Sequence, residues 1–283
     1  MRKINIFLDF YYVLLFILKE IKNFFLDFKR IFTIHLRYYN IFKLILFKRN
    51  KNINPSCNKI FINFINENKK LLDKNKKIDK KIDKKKNKKK ILITAFVHHH
   101  AGYPYINSII GKYLEEYHDI ELIGFCDSHD YTSQIIIRSF GIKKFYYLFE
   151  RNFFVRFFYF LSALINVKKI NDVDEFLKFK YNDIDIGKIT YDDVLRRSGI
   201  ASFNKFSFKL VYHFAEAMNK SDQYKKILSK IDVVSTIQSE HQFIPSAIIF
   251  QQTLKNKIKV YSRNGHGTRM SIRKFSSFSK RYT

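Results

Sequence analysis

Seven mostly apolar residues, Ile91–Val97 (ILITAFV), stop at His98-His99-His100, and Gly102 follows. An uninterrupted apolar run of that length, rich in β-branched residues, reads as a strand buried on both faces of a sheet. Pro104 stands where a first helical turn would begin, and Ile106, Ile109, Ile110, Tyr113 and Leu114 repeat at helical spacing. A second run, IELIGFC (120–126), ends in Asp127-Ser128-His129-Asp130. Strand, polar loop, helix, strand, polar loop is how a doubly wound α/β domain opens. In such folds ligands sit at the carboxyl ends of the strands, so function is expected at these polar loops.

The same alternation resumes later in the chain. A short helix is expected over 132–140 and a third strand in IKKFYYLF, after Gly141. Residues 151–166 (RNFFVRFFYFLSALIN) read as a core helix or as a membrane-facing patch. A long helix is expected over 206–230, a strand at 231–237, a helix after Pro245 and a strand at 257–263. This is an α/β pattern with a parallel sheet, and residues 91–283 are assigned to it. Between these parts lies KFKYNDIDIGKITYDDVLRRSGIA (178–201), where Asp192 is a candidate N-cap for a short helix. Arg196 and Arg197 there suit a phosphate or an acidic sugar, or form an exposed helix ending.

Charge divides the chain. Residues 1–90 carry 25 Lys+Arg against 7 acids, a net of +18, out of +28 for all 283 residues. Residues 1–65 alternate aromatic-aliphatic blocks with cations and contain no apolar run long enough to span a bilayer. They read as amphipathic helix lying on an anionic membrane surface, with packing on the protein's own core as the alternative. Residues 66–90 form a lysine-rich linker with too little apolar surface for a core. That tract has no arginine and no interleaved aromatic residue, so nucleic acid is an unsupported partner. The expected location is cytoplasmic, peripheral on the inner face of the cell membrane. Cys57 and Cys126 have neither CxxC nor metal-type spacing.

Several constellations stand at the predicted strand ends. Adjacent histidines seldom point the same way and no HExxH accompanies them, so no metal is expected at His98, His99 and His100. A neutral imidazole there, His99 above all, could take a proton from a sugar hydroxyl. Glu240 and His241 in QSEHQFIP (238–245) lie between a strand and a helix N-terminus, where free N–H groups gather. NGHGTR (264–269) offers Gly265 for close backbone approach and Arg269 for an anion. No GxGxxG, GxxxxGK[ST] or GxSxG occurs, which removes the main support for a nicotinamide dehydrogenase, a P-loop enzyme or an α/β-hydrolase.

Three pieces together, strand-HHHAG-helix, KYNDIDIGKITYDDVLRR and strand-QSEHQFIPSAIIFQ-helix, resemble bacterial surface (capsule or lipopolysaccharide) polysaccharide biosynthesis proteins with a GT-B-like glycosyltransferase fold. The resemblance covers roughly residues 91–270, and its most distinctive part runs from Tyr181 through Gly187 to Arg196. It implies a Rossmann-like parallel sheet forming the N-terminal, acceptor half of a two-domain enzyme. The chain would then be truncated, or the donor-binding half supplied elsewhere. The implied activity transfers a sugar from a nucleotide-sugar to a lipid-linked or glycan acceptor, with no cofactor. Glu240, His241 and His99 are the catalytic candidates. His98, His100, Gly102, Asp127, Arg196, Arg197, Gly265 and Arg269 are the substrate-binding candidates. The rival reading is a non-enzymatic protein that binds a membrane surface or nucleic acid through its basic segments.

Overall fold

A computed structural model describes residues 7–26, 88–96, 102–128, 130–148, 152–200, 202, 207–239, 241–264 and 271–276. Residues 7–26 are helical (α1). After them come β1 (Lys89–Ala95), α2 (Gly102–Tyr117), β2 (Ile120–Cys126), α3 (Tyr131–Ser139) and β3 (Phe145–Tyr147). Four helices follow: α4 (Phe153–Lys169), α5 (Val173–Leu177), α6 (Ile186–Ser198) and α7 (Phe208–Leu228). The chain then returns to the sheet with β4 (Val233–Gln238), α8 (Ser246–Lys255), β5 (Lys259–Asn264) and β6 (Ser271–Phe275).

The six strands form one sheet in the order β3-β2-β1-β4-β5-β6. The first five run parallel, and β6 pairs antiparallel with β5. The protein is therefore α/β with a mostly parallel sheet, an order compatible with a Rossmann-like fold. Alternate residues of β1 feed opposite layers, as a pleated strand requires. Ile91, Ile93 and Ala95 pack with Ile110 of α2 and Ile137 of α3. Leu92 packs on the other side with Phe125, Tyr224 of α7 and Ile249 of α8. Burial on both faces is why the run lacks a polar-apolar alternation.

The connection from β3 to β4 is unusually long because α4, α5, α6 and most of α7 build a second core. Phe160, Phe176, Ile189, Leu210 and Phe214 fill it. Ile244, from the β4–α8 connection, and Ala247 and Ile248, from the first turn of α8, join the same cluster and tie it to the sheet. Ser207 caps α7 by accepting from the Leu210 N–H at 3.3 Å, and Gly199 ends α6 at φ 64°.

One face of α1 belongs to this second core. Phe16 is fully buried and stacks on Phe160 at 4.6 Å between ring centroids. Arg156 of α4 donates to the Tyr212 hydroxyl at 2.6 Å and lies 2.9 Å from the Glu20 carboxylate. Tyr212 in turn donates to Glu20 at 3.1 Å. Burial raises the Glu20 carboxyl above its usual range, against the pull of Arg156. The Lys19 ammonium sits 3.3 Å from the centre of the Tyr212 ring, and burial pushes it down to about 8. Asp9 pairs with Lys168, so α1 runs antiparallel to α4. Self-packing thus accounts for one face of α1 and leaves its opposite face in solvent.

The segment 178–201 departs from the sequence expectation. Asp192 does not stand at the N-cap; it lies inside α6, which starts at Ile186. The reason is a tight turn upstream. Tyr181 and Ile184 exchange backbone hydrogen bonds around Asn182 and Asp183, whose φ values are 52° and 57°. Two consecutive positive φ values make a two-residue hairpin turn, for which asparagine and aspartate are suited. Gly187 then approaches the end of α5 so closely that a Cβ would lie 1.8 Å from the Phe176 carbonyl oxygen. Asp222 of α7 anchors the turn, accepting from the Tyr159 and Tyr181 hydroxyls at 2.6 Å each and from Asn182 at 2.7 Å. The most distinctive stretch of the sequence is thereby occupied with holding α5, α6 and α7 together.

Candidate functional site

Register fixes which residues share the carboxyl edge. Ala95 pairs with Cys126, Cys126 with Tyr147, Ile93 with Ile237 and Gln238 with Ser262. The chain therefore leaves β1, β2, β3, β4 and β5 along one edge. Between β1 and β4 the connections diverge, α2 leading toward β2 and α8 toward β5. Such a switch point opens a crevice at the strand ends.

Asn107 lies at that switch point. It is fully buried on α2, donates from Nδ2 to the Thr94 carbonyl at 3.0 Å, and accepts from the Ser239 hydroxyl at 2.9 Å. Thr94 adds a bond from its hydroxyl to the Ile237 carbonyl at 3.1 Å. One amide thus links the end of β1, α2 and the residue after β4. Arg196 from the last turn of α6 lays its guanidinium 3.9 Å from the centre of the Phe243 ring. Phe243 belongs to the same β4–α8 loop as Ser239, so an exposed cation of the helical layer contacts that loop.

The other sequence candidates fall into three groups. Gly102 stands exposed at the start of α2, with nothing within 4 Å of where a Cβ would be. Asp127 follows β2 on the same edge, and its carbonyl accepts from the Asp130 N–H at 3.1 Å. These two share the carboxyl edge, and Arg196 contacts the β4–α8 loop.

Arg197 and His241 turn elsewhere. The Arg197 Nε lies 2.8 Å from the Asp193 carboxylate, and His213 Nδ1 approaches the same oxygen at 3.2 Å. Its cation is committed to a buried aspartate. His241 turns its ring toward Phe250 of α8 and Phe275 of β6, with centroids at 5.1 and 5.9 Å. That is the β5–β6 side, away from β1. Finally, His98, His99, His100, Glu240, Gly265 and Arg269 lie outside the described residues. The residues flanking the histidines, Phe96 and Gly102, stand on the carboxyl edge at the switch point.

Burial, followed by the nearby Asp130 and Asp127 carboxylates, raises the Cys126 thiol far above its ordinary range. It stays protonated at neutral pH and is no nucleophile there. Among the described residues no group of histidine, cysteine, aspartate and glutamate side chains could hold a metal ion. No helix among them is long and apolar enough to cross a membrane.

Asn107, Ser239 and Phe243 were not among the sequence candidates. An asparagine in an amphipathic helix reads as solvent-facing, and only the packing of α2 on β1 turns it inward. Compared with family models, curated proteins and solved structures, the chain finds no match in any of the three.

Proposed function

We propose that the crevice between β1 and β4 is the sugar-handling site of a glycosyltransferase-like protein of surface polysaccharide biosynthesis. In this reading the sheet is the acceptor-side domain of a GT-B-type enzyme, and the donor is a nucleotide-sugar. The observation that carries it is the switch point itself. There, Asn107 joins the end of β1 to the residue after β4, and Arg196 stacks on Phe243 farther along the β4–α8 loop.

The chemistry needs a base for the acceptor hydroxyl and cations for the leaving diphosphate. His241 is turned toward Phe250 and Phe275, so the role of base goes to Glu240 or His99. Arg197 is paired with Asp193, which leaves Arg196 as the anion-binding member of that pair.

Genetic complementation tests the reading in the organism that encodes the protein. Deleting the gene should remove or shorten a surface polysaccharide, and the full-length wild-type gene should restore it. Glu240→Gln should fail to restore it while accumulating to the wild-type level, because losing a general base costs about 100-fold or more in rate. A deletion strain with an unchanged surface glycan would refute the assignment.

A further inference from the structure

The outward face of α1 is the most anomalous surface of the molecule. Phe7, Phe10, Leu14, Leu18, Ile21 and Phe25 all lie on it, each between 44% and 89% exposed. Their spacing puts them on one stripe, opposite the stripe of Tyr12, Val13 and Phe16 that meets the core. A helix apolar on both sides belongs inside something. The flank of α4 extends the surface. Phe154, Phe158 and Ile165 are exposed on a face about 100° round from the one that meets Phe16.

Charge narrows what can cover this surface. The only acids in 7–26, Asp9 and Glu20, are both turned inward to Lys168 and Arg156. The outer stripe therefore buries no carboxylate, and Lys22 and Lys169 stand exposed beside it. The chain as a whole is +28, and the N-terminal third supplies +18 of this. Two copies meeting face to face would bring like charge together, whereas an anionic lipid surface is matched in both polarity and sign. We infer that α1 and the flank of α4 form a platform that lies in the interface of an anionic phospholipid bilayer, apolar side chains inward. This stands independently of the glycosyl-transfer reading: it uses none of the carboxyl-edge residues.

The protein has no tryptophan, so one placed on the stripe reports on that site alone. In full-length Leu18→Trp, vesicles of phosphatidylglycerol and phosphatidylcholine should shift indole emission to the blue, and brominated lipid should quench it. Tyr117→Trp, on the exposed end of α2, should do neither. The lysine tract will bind such vesicles by charge alone. Sedimentation is therefore repeated at about 0.5 M salt, which screens exposed charge and leaves apolar insertion in place. There the wild type should still pellet. The combined substitution Phe10→Ser, Leu14→Ser and Leu18→Ser should bind at least about tenfold more weakly with an unchanged circular dichroism spectrum. An indole at position 18 that ignores vesicles would overturn the proposal. So would one already blue-shifted without lipid: a concentration-dependent shift would mean a second copy covers the stripe, and a constant one would mean the chain's own residues do.

Discussion

Replacing Asn107 with alanine is the most direct test of how the crevice is held. The side chain makes two bonds from a fully buried position, to the Thr94 carbonyl at 3.0 Å and from the Ser239 hydroxyl at 2.9 Å. Ser239 is only partly buried and can turn to water, so its loss costs little. The Thr94 side cannot recover in the same way, because Thr94 is 5% exposed. A buried polar group left without its partner costs about 1–3 kcal/mol, so we expect Asn107→Ala to destabilise the protein by about 2 kcal/mol. For a domain of this size that is a fall in melting temperature of roughly 4–8 °C. Asn107→Asp should be at least as harmful at neutral pH, since it sets a carboxylate against the Thr94 carbonyl. Acid should relieve it, because the protonated acid can donate as the amide did, and burial raises the folded pKa of such a carboxyl. The assay is thermal unfolding of the two variants, Ser239→Ala and the double alanine variant. The Asn107–Ser239 coupling should be about 0.5–1.5 kcal/mol. An Asn107→Ala protein melting with the wild type, or a coupling of zero, would refute the claim that this amide ties the end of β1 to the loop after β4.

Two glycines in the helical layer should respond differently to alanine. At Gly187 the new Cβ would meet the Phe176 carbonyl oxygen at 1.8 Å, so α5 and α6 must separate; we expect a loss of about 3 kcal/mol or failure to fold. At Gly199 there is open space and only the φ of 64° to pay, so about 1 kcal/mol is expected by denaturant titration. Lys19 gives a pH signature. Its ammonium is held down to about 8 from 10.5, so the unfolded chain binds more protons between those values and stability contributed at this residue rises with pH across that window. Melting curves of the wild type relative to Lys19→Met should diverge in the wild type's favour above pH 8, and a pH-independent difference would count against the buried amine.

How far the sequence could be read depended on where the apolar residues went. The strands at 89–95, 120–126 and 233–238 were legible because each carries a short stretch rich in β-branched and apolar residues that is buried on two faces. The segment 151–166 left two readings open because α4 serves both. Phe160, Ala163 and Val167 face the core, while Phe154, Phe158 and Ile165 face solvent. The stretch from Tyr181 to Arg197 was less transparent. Its polar residues read as ligand-binding, yet Tyr181 and Asn182 are spent on Asp222, which lies some forty positions away in sequence. Arg197 is likewise spent on Asp193. Adjacent arginines look equivalent in a sequence, but successive helical residues point about 100° apart, so one reached Phe243 of the β4–α8 loop and the other an aspartate of its own helix. β6 was not anticipated, because a short edge strand with alternating polar residues carries little pattern of its own.

The two surfaces of interest meet on α7. Near its N-terminus Tyr212 holds Arg156 and Glu20, and through them α4 and α1. Two turns on, Lys220 donates to the Leu148 carbonyl at 2.7 Å, just past the end of β3, and Asp222 anchors the turn at Asn182. Tyr224 then stacks on Phe125 of β2 at 5.2 Å and passes beneath the sheet. From Tyr212 to Lys220 the helix axis rises about 12 Å, at about 1.5 Å per residue. One continuous helix with both ends in a core cannot bend cheaply between them. The apolar platform and the carboxyl edge are therefore fixed relative to each other through the side chains of a single element. A substitution at Tyr212 that loosens α1, such as Tyr212→Ala, should weaken vesicle binding and leave the Asn107 linkage intact. Asn107→Ala should do the reverse. If either variant impaired both properties without unfolding the chain, the two surfaces would be coupled by more than α7.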